Sequence, residues 1–183
     1  MHYSDLFDGL FPGFFQGTKG MPESQIFTEL ILELRKDEPR QAVACPDAIT
    51  FGEYHGEIGM LREAVNQVEP DWVQYFGEQT RVFCAFDDEA IVAFCILSDW
   101  GMQDGLRIGG PGCVGTVPAY RRQGIGMEMV RRATNLLKEE GFDLSWIHYT
   151  HVGKWYEKLG YRTVLRWNGK GLIWEENHDA QAV

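Results

Sequence analysis

Six consecutive residues, Arg121-Arg122-Gln123-Gly124-Ile125-Gly126, have the types and spacing to hold a pyrophosphate. An extended stretch ending at Val117 leads into them, Pro118 breaks it, and a helical pattern begins at the glycines. Successive backbone N–H groups at a helix N-terminus point outward with the positive end of the helix dipole behind them, which makes a ready anion site. Gly124 and Gly126 carry no side chain to hold a phosphate away. Arg121 and Arg122 add charge and forked donors. The segment lacks Gly-Lys-Ser/Thr, so it is not a P-loop. The same six residues also read as a basic helix cap whose glycines serve the turn.

A second glycine cluster, Gly110-Pro-Gly112-Cys-Val-Gly115, matches G-x-G-x-x-G in form only. The dinucleotide fingerprint needs a helix opening from the glycines and an acidic residue about twenty positions on. Thr116-Val117-Pro118 follows instead, so the cluster reads as a bent or bulged strand. Cys113 within it has no neighbouring base to make it a nucleophile. Four ionisable residues, His148, His151, Asp99 and Asp104, lie near predicted strand ends. His148-x-x-His151 straddles such an end with no Cys or carboxylate close behind, so no metal site is expected.

The elements around these residues follow from periodicity. Phe7, Leu10, Phe11 and Phe14 mark one face of a short helix, and Ile26, Phe27, Leu30, Ile31 and Leu34 predict a helix over 24–36 closed by Pro39. Segments 41–45 and 48–54 read as extended. Helices follow over 57–68 and 70–76. Segments 81–86 and 90–97 read as a hairpin about Asp87-Asp88, and 106–117 as a further strand. The longest helix runs over 124–140, with Met129, Val130, Ala133, Leu136 and Leu137 as its stripe and Gly141 as its stop. A strand over 144–149, a helix over 152–159, and strands over 161–167 and 172–175 about Asn168-Gly169 complete the chain, with a polar tail beyond. Interleaved helices and strands without strict alternation give an α/β or α+β class around one mixed sheet.

The 183 residues suit one domain with a proper core. There are 17 Lys+Arg against 27 Asp+Glu, a net charge of −10, which argues against a nucleic-acid or anionic-membrane surface. Residues 119–138 depart from that balance, with five basic residues against one acidic, a net +4. The remainder, at −14, is suited to drawing in a cation. No apolar run reaches spanning length, and Asp5 and Asp8 stand where a signal peptide needs positive charge. The four cysteines show no C-x-x-C spacing and read as buried thiols in a reducing, cytoplasmic setting.

With this hexapeptide set between a strand and a helix, the sequence resembles the GNAT superfamily of acyl-CoA-dependent N-acetyltransferases. Arg121, Gly124 and Gly126 match the family's Arg/Gln-x-x-Gly-x-Gly/Ala motif between a strand and a helix. Trp155-Tyr156-Glu157-Lys158-Leu159-Gly160-Tyr161 resembles its Tyr-Glu-Lys-Leu-Gly-Phe/Tyr signature further on. The resemblance implies a mixed, mostly antiparallel central sheet flanked by helices over 37–176. An extra helical segment at 1–36 and a polar tail at 177–183 fall outside it.

The resemblance also implies roles. Acetyl-CoA is the expected cosubstrate. Arg121, Arg122, Gln123, Gly124, Ile125, Gly126 and Met127 would grip its pyrophosphate. The strand with Val114, Gly115, Thr116 and Val117 would pair with pantetheine and supply an oxyanion donor, and Tyr156 would protonate the departing thiolate. The acceptor is expected to be a small amine, with a peptide amine as the other option. Two positions depart from the pattern: Tyr149 and Val152 stand where the family often has Asn and Ala. The central strand at 108–114 also lacks the carboxylate base often found there. That absence motivates an alternative, a non-catalytic acyl-CoA-binding or regulatory module. Segment 1–36 is open to three roles: a homodimer contact, a lid over the acceptor, or cover for a sheet edge.

Overall fold

The computed structural model describes residues 2–36 and 41–176. Pro39, expected to close a helix, and the polar tail at 177–183 lie outside the described residues. The described residues fall into two compact units. One lies within Met1–Lys36, Trp100–Ile108 and Phe142–Val183, the other within Asp37–Asp99 and Gly109–Gly141. Together they carry a mixed α/β fold of eight strands, in chain order β1(Phe27–Glu33), β2(Ile49–Glu53), β3(Val82–Asp87), β4(Ala90–Gln103), β5(Leu106–Thr116), β6(Leu144–Thr150), β7(Arg162–Asn168) and β8(Gly171–Glu175).

In the second unit β2 pairs with β3 and β3 with β4, all antiparallel. Two helices, α3(Ile58–Asn66) and α4(Ile125–Glu139), belong to this unit, with a 3-10 turn at Pro70–Tyr75. Its core joins Leu61, Ala64 and Val65 of α3 to Phe76, Val82, Cys84, Ile91, Phe94 and Val117. Arg81 clamps both ends of the layer. Its Nε donates to Glu53 Oε2 on β2 at 2.6 Å, and its Nη1 donates to Glu140 Oε2, just past α4, at 2.7 Å.

In the first unit β1 is the inner strand, antiparallel to β6 on one side and to β7 on the other, and β8 pairs with β7. The helices here are α1(Tyr3–Leu10), α2(Phe14–Gly17) and α5(Gly153–Glu157). Tyr3, Leu6 and Phe7 of α1 pack with Ile31, Ile108, Leu144, Trp146, Val164 and Leu165.

Most elements lie within a few residues of their expected places, and the expected helices over 57–68 and 124–140 form as α3 and α4. The helix expected over 24–36 does not form: residues 27–33 are strand β1. The cause is local. β1 is an inner strand with both faces covered, so that Glu29, Leu30 and Ile31 are all buried; where its register slips near Glu29, the extra residue lies on the neighbour, between Ile147 and Thr150 of β6 and at Val164 of β7. A strand buried on both faces loses its alternation, and its apolar positions can then fall at helix-like spacing. Segment 41–45, expected as extended, lies outside any strand.

Candidate functional site

The pyrophosphate candidate lies entirely in the second unit. Beyond β5 the chain is tied down by short bonds. Val117 N–H donates to Val92 O at 2.9 Å, and Tyr120 N–H donates to Val117 O at 2.9 Å. The Tyr120 hydroxyl donates to Asp87 Oδ2 at 2.8 Å, and Arg121 Nε donates to Thr116 O at 3.0 Å. The backbone then turns through two left-handed residues, Arg122 at φ 63° and Gly124 at φ 80°. Helix bonding starts with Glu128 N–H to Gly124 O at 3.0 Å. Among the described residues, the N–H groups of Arg122, Gln123, Gly124, Ile125, Gly126 and Met127 donate to no protein acceptor. Arg121, Arg122 and Gln123 are exposed, whereas the Ile125 side chain is buried. The expected loop residues are therefore brought together, with Ile125 offering its backbone only.

Two details differ from the sequence reading. Glycine at 124 is demanded by the protein itself, because a Cβ there would collide with the Ala44 carbonyl oxygen. The basic island is also partly spent internally. Glu128, 1% exposed, accepts Arg131 Nε at 2.7 Å, Arg132 Nε at 2.8 Å and the Val43 N–H at 2.9 Å. Burial works to raise the pKa of that carboxyl, but these bonds outweigh it and bring it down to about 2. Arg121 and Arg122 are the exposed cations at the loop.

The strand that leads into the loop has its own constraints. Cys113 sits at φ 45° within β5, the irregularity expected of this glycine-rich stretch. Gly115 is buried, and a Cβ there would collide with the Phe94 ring. Val114 and Thr116 are half-buried and Val117 is buried. Burial pushes the Cys113 thiol up to about 11, far from the thiolate that a nucleophile needs.

Tyr156 belongs to the first unit. It lies in α5 with its side chain buried, edge-on to Trp155 with ring centroids 4.8 Å apart and to Tyr161 at 6.0 Å. Gly153 sets the approach of this helix to β1, since a Cβ there would stand 2.8 Å from Thr28 Oγ1. His151 is exposed, and Asp104 occupies the tight turn between β4 and β5 at φ 51°. Among the described residues no three His, Cys, Asp or Glu side chains are arranged to hold a metal ion.

The first unit also holds a constellation of which the sequence singled out His148 but not Glu29. Glu29 is fully buried. Its Oε2 accepts Trp146 Nε1 at 2.8 Å and faces His148 Nδ1 at 3.0 Å. Its Oε1 accepts Trp167 Nε1 at 2.8 Å and the Tyr149 N–H at 3.1 Å. The one available signal was an acidic residue inside the apolar run Thr28-Glu29-Leu30-Ile31-Leu32, and the helix assignment concealed its significance.

Comparison with known proteins bears on both units. Residues 78–163 match the family model of the acetyltransferase (GNAT) domain. No curated protein matches the chain. Among solved structures, the GCN5-related glucosamine N-acetyltransferase region of a fungal multi-domain GH3 β-N-acetylglucosaminidase is 25% identical, with a TM-score of 0.67, over 84% of this chain and 21% of that one. A GCN5-related N-acetyltransferase from Sphaerobacter thermophilus is 16% identical with a TM-score of 0.58, over 84% of this chain and 52% of the other. One from Kribbella flavida is 22% identical with a TM-score of 0.55, over 83% and 60%. This chain thus spans between 21% and 60% of the length of these structures. The two bacterial likenesses show the fold.

Proposed function

We propose that the chain, whose residues 78–163 match the family model of the GNAT acetyltransferase domain, is an N-acetyltransferase that moves an acetyl group from acetyl-CoA to a primary amine. The observation that carries this reading is the run of six backbone N–H groups, Arg122 to Met127, without protein acceptors at the start of α4. A diphosphate is the acyl carrier's anionic feature, and such a run beside exposed Arg121 and Arg122 suits it.

In this reading β5 at Val114, Gly115, Thr116 and Val117 lies along pantetheine. A backbone N–H there supports the oxyanion as the amine attacks the thioester carbonyl. Tyr156 gives the departing thiolate a proton. Transfer is direct, in a ternary complex, because the buried, high-pKa thiol of Cys113 is unsuited to carry the acyl group. The acceptor is a small amine, drawn by an acidic surface. The name of the 25%-identical fungal region makes an amino sugar one candidate. Four free cysteines suit a reducing, cytoplasmic setting, and among the described residues no helix is long and apolar enough to cross a membrane.

The rival reading is a module that binds acyl-CoA without transferring the acyl group. It is favoured by the lack of a carboxylate in Ile108 to Val114. Release of free thiol from acetyl-CoA, screened across amines that include diamines, amino sugars and peptides, separates the two. The transferase reading expects amine-dependent release, and no release with any amine supports the module.

A further inference from the structure

We propose that Glu128 is the positioning residue of the acyl-carrier loop: it holds segment 41–45 against the start of α4, so that the N–H run from Arg122 to Met127 stays aimed at a diphosphate. This rests on the reading of that run as an acyl-CoA site. The run needs an outside hold. Helix starts fray, and the first N–H groups have no partner within the helix to fix them. The turn before α4 is also strained, because Arg122 stands at φ 63° without being glycine. Such backbone persists only where its surroundings over-determine it.

On the strand side, the Tyr120 hydroxyl bonds Asp87 and Arg121 Nε bonds Thr116 O. On the helix side the ties converge on Glu128. Its N–H closes the first turn on Gly124 O. Its Oε2 accepts the Val43 N–H at 2.9 Å, and the next residue, Ala44, brings its carbonyl oxygen against Gly124. Val43 Cγ1 would itself stand 3.5 Å from a Cβ at 124. Segment 41–45 lies outside any strand, so no sheet ladder holds Val43 and Ala44 at the loop.

By charge alone, Glu128 is misplaced. A carboxylate in the first turn of α4 takes up the positive helix end and opposes a diphosphate bound there. Its oxygens instead receive the Val43 N–H, Arg131 Nε and Nη2, and Arg132 Nε. Arg132 is laid over the Phe51 ring of β2, with its guanidinium carbon 4.6 Å from the centroid. Glu128 is therefore buried, charge-compensated, and tied to segment 41–45, to the next turn of α4 and, through Arg132, to β2. What it contributes is geometry. Charge and geometry act on diphosphate binding with opposite signs, which separates them.

Glu128→Gln turns one oxygen into an amide that faces other donors. Glu128→Asp keeps the charge but draws the carboxylate back from Val43. Calorimetry with acetyl-CoA, at a temperature where circular dichroism shows each variant folded, reads the outcome. Binding is expected to weaken about tenfold or more in both variants, the equivalent of one lost charge-assisted bond to a phosphate. For the donor S-acetylpantetheine, which lacks the diphosphate, kcat/KM with an amine identified by thiol release should stay within about twofold of wild type. Unchanged or tighter acetyl-CoA binding by a folded variant overturns the proposal, and tighter binding by Glu128→Gln assigns a charge effect instead. An equal loss with S-acetylpantetheine also overturns it, since the defect then lies away from the diphosphate. A wild-type chain that binds acetyl-CoA and releases no thiol removes the transferase reading alone, and the calorimetry then decides this inference. A wild-type chain that binds no acetyl-CoA removes the acyl-CoA reading, and this inference with it.

Discussion

Gly124 and Ala44 meet through backbone alone, so that any Cβ at 124 would enter the Ala44 carbonyl oxygen. The residue that opens α4 is thus fixed twice, by its φ of 80° and by a chain segment eighty positions earlier. Gly124→Ala should destabilise the fold by about 1–3 kcal/mol, because strained backbone and a steric collision add. It should also weaken acetyl-CoA binding, since the N–H groups of the loop must shift. Denaturant unfolding and calorimetry read the two effects separately.

The motif was legible at the level of residue type, and its reason was not. Arg121, Gly124 and Gly126 stand out along the chain because strand, break and helix follow in order. That Ala44 presses on Gly124 depends on a contact no local window contains, whereas the commitment of Arg131 and Arg132 to Glu128 follows i,i+3 and i,i+4 helix spacing and was open to a local reading. β1 was misread for a different reason. Burial on both faces removes the alternation that marks a strand, and the extra residues that slip its register near Glu29 lie on β6 and β7, the strands that bring Trp146, His148 and Trp167 to that carboxylate. The position where the sequence pattern fails is therefore where a charged group enters the core, as expected of functional or strained sites.

Glu128 predicts an acid limb in stability. Its bonds to Arg131, Val43 and Arg132 hold its carboxyl at about 2 in the fold, below the ordinary 4.5. A lowered pKa contributes stability that is fully present above about 4.5 and is lost as the pH falls toward 2. Glu128→Gln should cost on the order of 3 kcal/mol at neutral pH and flatten that limb. Urea unfolding from pH 7 to pH 2.5 measures both.

Tyr156→Phe should lower turnover by about 100-fold, the low end of one lost general-acid contribution. Acetyl-CoA affinity should change little, because the hydroxyl acts on the thiolate as it forms. Unchanged kcat, with chemistry shown to be rate-limiting, removes Tyr156 from that role.

Cys113 should carry no acetyl group. Its thiol sits near 11, so only a small fraction is thiolate at neutral pH. Intact-protein mass after rapid quench with acetyl-CoA should show no acetylated species, with or without amine. An acetyl group on the Cys113 peptide that disappears on adding amine would establish a covalent intermediate instead.

The proposed reaction is transfer of an acetyl group from acetyl-CoA to an amine. Its most direct measurement is the fate of an isotopically labelled acetyl group, followed by mass spectrometry with acetyl-CoA, the purified chain and the amines from the thiol screen. The label is expected in amide linkage on the amine, formed in step with free CoA and only when the chain is present. Label that stays on CoA with every amine, despite tight acetyl-CoA binding, would contradict it.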